Sequence, residues 1–159
     1  MRPDKAAIVA ALRAALSDEL GALERVAAMS RDEAGSEETK SEGKYDTRAT
    51  EASYLARGLA KRIAELRQIV AWFEVFDAER PVDPAVAQTG ALVRLEGAAD
   101  ELLFLAPVGG GRVSVAGWSV TIISPSSPLG AALAELEAGD AAEVETPRGP
   151  VTREILGIW

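Results

Sequence analysis

The sequence contains neither cysteine nor histidine. Without cysteine there are no disulfides and no thiolate metal sites. Without histidine there is no Ser-His-Asp or Cys-His catalysis and no histidine-ligated metal. Any metal chemistry must therefore use oxygen ligands, which favours magnesium or manganese. Aromatic residues make up only 5% of the chain. No apolar run approaches the roughly 18 residues of a membrane span, so we expect a cytoplasmic protein without membrane contact.

Acidic side chains outnumber basic ones, 25 to 17, for a net charge of −8. An acidic chain without a basic face is a poor candidate for gripping a nucleic-acid backbone directly. The composition therefore argues against direct binding of nucleic acid.

Two helical patterns flank the polar stretch 31–48. Their apolar residues recur every three or four positions, first at Ile8, Leu12, Leu16, Leu20, Leu23 and Ala27, then at Leu55, Leu59, Ile63, Leu66, Val70 and Phe73. Each set lines one helix face, and the two stripes match in length. We predict an antiparallel helical hairpin. The first helix runs from residue 3 or 4 to about 29, and the second from 46 or 47, or alternatively from near Ser41, to about 76. Ser30 and Glu33 have capping-box spacing, which favours a separate turn after the first helix.

The tip of this hairpin holds six acidic and four basic side chains. Glu38 and Glu42 are four residues apart and would project from one face of an early second helix, with Glu37 beside them. Carboxylates of this kind are oxygen ligands that magnesium accepts, although a solvated loop is the simpler alternative. The polar cluster near the second helix is either a helix cap or a partner contact; it comprises Lys44, Tyr45, Asp46 and Arg48.

A linker at residues 80–89, with prolines at 81 and 84, separates residues 1–79 from a second domain at 90–159. There the period becomes strand-like, and Gly, Pro, Asp and Ser punctuate short apolar segments. Strands are predicted at 91–95, 101–106, 119–124, 142–145 and 151–158, with one helix at 129–136 and a flexible hairpin loop at 109–111. The predicted fold class is α+β: a helical hairpin, then a small, mainly antiparallel sheet domain with one short helix.

Three segments of the second domain resemble the Gre family of bacterial transcript-cleavage factors. Residues 123–133 (ISPSSPLGAAL) resemble that family's "S-x-x-SPLG-x-AL" segment. Residues 139–149 (GDAAEVETPRG) resemble its "GD-x-x-EVETP-x-G" hairpin, and residues 154–158 (EILGI) match its closing strand. The order and spacing of the three segments agree with the family pattern.

The resemblance implies an FKBP-like C-terminal domain behind an N-terminal antiparallel coiled coil. It implies a monomer that binds bacterial RNA polymerase, grips the rim of its secondary channel with the C-terminal domain and inserts the coiled coil. Tip carboxylates would help hold a magnesium ion of the polymerase, which hydrolyses backtracked RNA. The factor would then stimulate the polymerase without catalysing by itself or binding a cofactor tightly, and would meet RNA only inside the complex. By resemblance, the gripping residues are Ser127, Pro128, Leu129 and Gly130.

The tip departs from the family pattern, in which an Asp and a Glu stand three residues apart before a Tyr. Aligning on Tyr45 puts Glu38 at the family Asp but Ser41 at the Glu. Aligning on Glu42 leaves Thr39 at the Asp. A non-cleaving channel regulator or inhibitor is therefore the first alternative. An FKBP-like isomerase or chaperone is the second, although its aromatic pocket would have only Phe104, Trp118 and Trp159.

Overall fold

The computed structural model describes residues 2–37, 47–79, 86–97 and 100–159. It confirms the predicted fold class, a helical hairpin followed by a small sheet domain with one short helix. The helices are α1 (Lys5–Glu37), α2 (Thr47–Val75) and α3 (Pro128–Leu133). The strands are β1 (Leu92–Leu95), β2 (Glu101–Leu105), β3 (Arg112–Val115), β4 (Trp118–Ile123), β5 (Ala141–Thr146) and β6 (Gly149–Ile158).

Helix α1 begins where the sequence predicts and ends later. The Asp4 carboxylate accepts a hydrogen bond from the Ala7 amide at 3.0 Å and so caps the helix start. The helix then runs through Ser30 to Glu37, so the predicted end near residue 29 and the separate turn are wrong. Residues 30–34 contain no proline or glycine that would stop the helix. The helix therefore continues, because each added residue gains one backbone hydrogen bond.

Ionic and backbone contacts join the two long helices. Glu19 accepts from Arg62 at 2.7 Å and Glu24 accepts from Arg67 at 2.6 Å. Nearer the sheet, Arg13 donates through Nε to the Phe73 carbonyl at 3.0 Å. This last contact satisfies a carbonyl in the final turn of α2, where helices leave such groups unpaired. The half-exposed ion pairs contribute only about 0–1 kcal/mol each to the free energy of unfolding. Their main effect is therefore on the register of α1 against α2.

The predicted apolar stripes are buried near the sheet and uncovered away from it. Ile8, Leu12 and Phe73 are fully buried. Leu55 is 75% exposed, so its predicted burial in the second stripe is wrong, and its neighbour Tyr54 is 66% exposed. A two-helix seam covers only a narrow strip of each helix. The sheet covers the base of the hairpin as a further layer, and nothing in the described part of the chain does so at Leu55.

The six strands form one sheet in the order β3-β4-β2-β1-β6-β5. All neighbouring strands are antiparallel except β2 and β4, which pair in parallel from Glu101–Ser119 to Leu105–Ile123. Strand β3 was not predicted from the sequence. Its four residues alternate exposed and half-buried positions at the sheet edge and follow three glycines, which resemble a loop more than a strand.

Those three glycines are packed against neighbouring segments, in contrast to the flexible loop predicted. A Cβ atom on Gly109 would lie 2.9 Å from the Ser124 amide nitrogen. Gly110 has a φ of 116°, a conformation that L side chains rarely adopt, and lies beside Arg62 of the hairpin. Glycine is therefore required here so that the loop can fit between the sheet and α2.

The turn between β3 and β4 contains a strained alanine. Ala116 has a φ of 50° and Gly117 a φ of 83°, the positive pair that two-residue hairpin turns of type I′ need. Asparagine tolerates positive φ better than alanine. Ala116→Asn should therefore raise the free energy of unfolding by about 0.5–1 kcal/mol, measured by urea denaturation. The same exchange at Ala131, an exposed residue of α3, should lower it, and stabilisation there too would contradict the turn argument.

One hydrophobic core joins the hairpin to the sheet. Phe73 packs on Phe104 of β2 with ring centroids 5.3 Å apart, and Phe76 stacks on Trp72 at 4.6 Å. The aromatic end of α2 therefore packs on the sheet domain. Lys5 lies over the Phe76 ring at 5.8 Å, and burial lowers the pKa of its ammonium group. Because the base of the hairpin and one sheet face share this core, the sheet domain holds the hairpin at a defined angle.

Candidate partner-binding sites

The free end of the hairpin is the first candidate site. Near Glu19 and Arg62 the hairpin still lies against the sheet domain, beside the loop and strand at residues 110–113. At 1.5 Å per residue, the ends of the two helices lie about 25 Å beyond this contact. Arg31 and Asp32, on the last part of α1, are both exposed. The polar end of the hairpin therefore projects away from the sheet domain.

The predicted tip residues themselves fall outside the description. Glu38, Glu42, Lys44, Tyr45 and Asp46 lie in the segment that the structure leaves out. The backbones of Glu37 and Arg48 belong to α1 and α2, without a description of their side chains. Their predicted roles in binding magnesium or a partner stay predictions.

Within residues 2–37, 47–79, 86–97 and 100–159, no group of three or more acidic side chains is placed to hold a metal ion. Over the same residues, no helix is long and apolar enough to cross a membrane. A magnesium ion at the tip would thus need ligands from the undescribed tip segment or from a partner.

The start of α3 is the second candidate site. Of the four residues predicted there to bind a partner, two have a role in the local structure and two do not. Ser127 caps the helix: its Oγ accepts from the Gly130 amide at 3.0 Å and donates to the Ser124 carbonyl at 2.7 Å. Gly130 is buried against that carbonyl. Pro128 is exposed and Leu129 half-buried. Local structure accounts for Ser127 and Gly130, and leaves Pro128 and Leu129 available to a partner.

Leu129 also lines a cleft on the sheet face that points away from the hairpin. The cleft has a volume of about 230 Å³ and lies between the central strands, the β5–β6 hairpin and α3. Its apolar lining comprises Leu95, Leu103, Ile123, Leu129 and Val144. Sites for small molecules usually measure about 300–1,000 Å³. This smaller aliphatic cleft suits one or two side chains of a protein partner better than a cofactor.

Three charged side chains of the described residues border the cleft. Arg112 Nη2 lies 3.6 Å from Glu101 Oε1, and Arg112 Nε donates to Thr121 Oγ1 at 2.9 Å. Arg153 of β6 reaches the same cleft. Its side chain has no hydrogen bond or ion pair with the residues that the structure describes. The border of the cleft therefore carries a net positive charge.

Among the residues that the structure describes, no aromatic side chain lines the cleft. Phe104 and Trp118 belong to the core shared with the hairpin, and Trp159 packs against the same core. Successive strand residues point to opposite sheet faces, so Leu103 lines the cleft and Phe104 the core. The three aromatic residues considered for a proline pocket are thus on the wrong face, which argues against the isomerase alternative.

Sequence reasoning missed the cleft and its arginines. One signal was present: residues 81–159 contain only four basic residues, and Arg112 and Arg153 are two of them. That they border one cleft follows from the strand order, in which β4 pairs with β2 and β6 pairs with β1.

The architecture defines a class of protein, a projecting helical hairpin mounted on a small sheet domain that carries a side-chain-sized cleft. Residues 115–159 match the family model described as "Transcription elongation factor, GreA/GreB, C-term". The predicted resemblance to the Gre family is thereby confirmed over a segment that includes β4, α3, β5 and β6. No curated protein matches the chain significantly.

Several solved structures are similar to the chain at low identity. The Gfh1 protein (GreA factor homolog 1) of Thermus thermophilus is 19% identical, with 92% of this chain and 94% of that chain covered and a TM-score of 0.37. Gfh1 of Thermus aquaticus is 20% identical, with 90% of each chain covered and a TM-score of 0.39. A GreA/GreB factor of Nitrosomonas europaea is 24% identical over 69% of this chain and 92% of that chain, with a TM-score of 0.35.

Proposed function

We propose that this protein is a transcription elongation factor of the GreA/GreB type that binds RNA polymerase in the cytoplasm. The match of residues 115–159 to the GreA/GreB C-terminal model carries the proposal. The projecting hairpin supports it, because the shared core at its base fixes the direction in which its polar end points.

In this proposal the sheet domain grips the polymerase and the hairpin enters its secondary channel. The exposed Pro128, the half-buried Leu129 and the cleft next to them form the gripping surface. Lys44, Tyr45, Asp46 and Arg48, near the hairpin end, would contact the channel. RNA would meet the factor only inside the complex, which agrees with the net charge of −8 and its poor fit to direct nucleic-acid binding.

At the tip, Glu38 and Glu42, with Glu37 beside them, would face the magnesium of the polymerase. Carboxylate oxygens are ligands that magnesium accepts, and one or two suffice when water and the partner supply the others. When bound, the ion activates water for hydrolysis of the RNA phosphodiester. The chain itself would supply the negative charge of the tip carboxylates and help to position the magnesium ion. It would not act as an enzyme without the polymerase. A factor that occupies the channel without promoting cleavage remains the second candidate, favoured by the altered tip spacing.

Binding to purified bacterial RNA polymerase tests the proposal most directly. Immobilised full-length protein is expected to retain the polymerase, and its addition to backtracked complexes should change the rate of RNA cleavage or of nucleotide addition. Faster cleavage identifies a cleavage factor, and slower nucleotide addition without cleavage identifies a channel regulator. Failure of the folded protein to retain polymerase would refute both forms of the proposal.

A Leu129→Ala variant tests whether Leu129 contributes to polymerase binding independently of its contribution to folding. Leu129 is half-buried beside the cleft, so its truncation should cost less than the 2–5 kcal/mol of a fully buried leucine. We expect polymerase binding at least about tenfold weaker, as for a central interface residue. Leu156→Ala is the matched control, because Leu156 is exposed and does not line the cleft. Equal binding by both variants would exclude Leu129 from the grip.

A further inference from the structure

The cleft combines an aliphatic lining with a positively charged border, and this combination specifies its occupant. Residues 81–159 carry ten acidic and four basic residues, yet two of those four arginines border the cleft. Arg112 is engaged by Glu101 and Thr121. Arg153, half-buried, has no partner for its guanidinium in the described part of the chain.

We propose that the cleft binds a protein segment in which an aliphatic side chain stands next to a carboxylate, and that Arg153 is the residue that selects the carboxylate. The inference rests on the proposed function in that it takes this segment to belong to the polymerase. The aliphatic side chain fills the space between Leu103, Ile123 and Leu129. The carboxylate pairs with Arg153, whose planar fork suits a carboxylate.

The charges exclude other occupants. A basic segment would meet Arg153 and Arg112 with only the Glu101 carboxylate to offset them. A neutral aliphatic segment would leave the Arg153 guanidinium partly desolvated and unpaired, which costs free energy. An acidic aliphatic segment removes both penalties. Because acidic residues outnumber basic ones in the rest of this domain, its net charge also disfavours binding of such a segment outside the cleft, which adds to the selectivity.

Two peptides test the selection without the polymerase. Full-length protein with labelled Leu and Ile methyl groups is titrated with acetyl-Ala-Leu-Glu-Ala-amide and with the same peptide carrying Gln in place of Glu. We expect the Leu103, Ile123 and Leu129 signals to shift, with the acidic peptide binding at least about fivefold more tightly at low salt. The difference should shrink at high salt because salt screens the ion pair.

Two variants locate the effect. Arg153→Gln should abolish the preference for the acidic peptide, whereas Arg148→Gln should keep it, because Arg148 is exposed on the β5–β6 turn and does not line the cleft. Arg153→Lys should restore part of it. Equal binding of the two peptides, no methyl shifts with either, or an unchanged preference in Arg153→Gln would each overturn the inference.

The polymerase provides a separate readout. Arg153→Gln is expected to weaken polymerase binding about fivefold relative to Arg148→Gln. If wild-type protein discriminates between the peptides but does not bind polymerase, the proposed function fails and the selection by Arg153 stands. If polymerase binds equally to both variants and the peptides are not discriminated, the proposed function survives and the selection fails.

Discussion

Replacing Gly130 with alanine is expected to lower the free energy of unfolding by about 3 kcal/mol or more. A Cβ atom at this position would lie 1.9 Å from the Ser124 carbonyl oxygen and 3.0 Å from Ser127 Oγ. Neither atom is free to move, because Ser127 Oγ binds that carbonyl and caps α3 at the same time. The methyl group therefore displaces the helix start and breaks the cap. Thermal unfolding should show a fall in Tm of roughly 6–12 °C for a chain of this size.

Gly58→Ala is the control of opposite sign. Gly58 lies inside α2, and a Cβ atom there would meet nothing within 4 Å. Alanine in an exposed helix interior is better than glycine by about 0.5–1 kcal/mol, so this variant should be more stable than wild type. Wild-type stability of Gly130→Ala would show that α3 can shift without cost. The expected destabilisation instead means that any polymerase binding lost in that variant reflects folding, and not a contact made by residue 130.

Changing Glu37, Glu38 and Glu42 together to alanine is expected to abolish activity and leave stability nearly unchanged. Carboxylates on a protein surface generally contribute little to folding, and removal of three like charges relieves repulsion. If the tip serves the magnesium of the polymerase, cleavage of backtracked RNA should be lost while polymerase binding persists. If the protein only occupies the channel, the variant should suppress nucleotide addition less than wild type does.

A triple variant with the same change in charge serves as control. Glu74, Glu96 and Glu143 are exposed and lie away from the tip and the cleft. Their replacement by alanine should leave the transcription effect intact. Loss of activity in both triple variants would mean that net charge matters, and an unchanged effect in the tip variant would exclude the tip under either form of the proposal.

The sequence by itself determined the kinds of element and most of their positions. The three- and four-residue spacing of apolar residues predicts α1 and α2, because one helix face must be buried and helical geometry repeats every 3.6 residues. The strand-like segments after residue 90 predict most of the sheet for the same local reason. The Gre resemblance at residues 123–158 follows from motifs that occupy adjacent positions in the chain, and the family model matched them.

Tertiary structure alone decided which residues meet. Arg112 and Arg153 share a cleft only because β4 pairs in parallel with β2 and the β5–β6 hairpin joins the same sheet through β1. Gly130 is required by the approach of a carbonyl from a neighbouring turn, and Leu55 is exposed because no further layer covers that part of the hairpin. Local spacing specifies which face of an element is apolar. Which segment covers that face depends on contacts between residues far apart in the sequence, and a local pattern carries no information about those contacts.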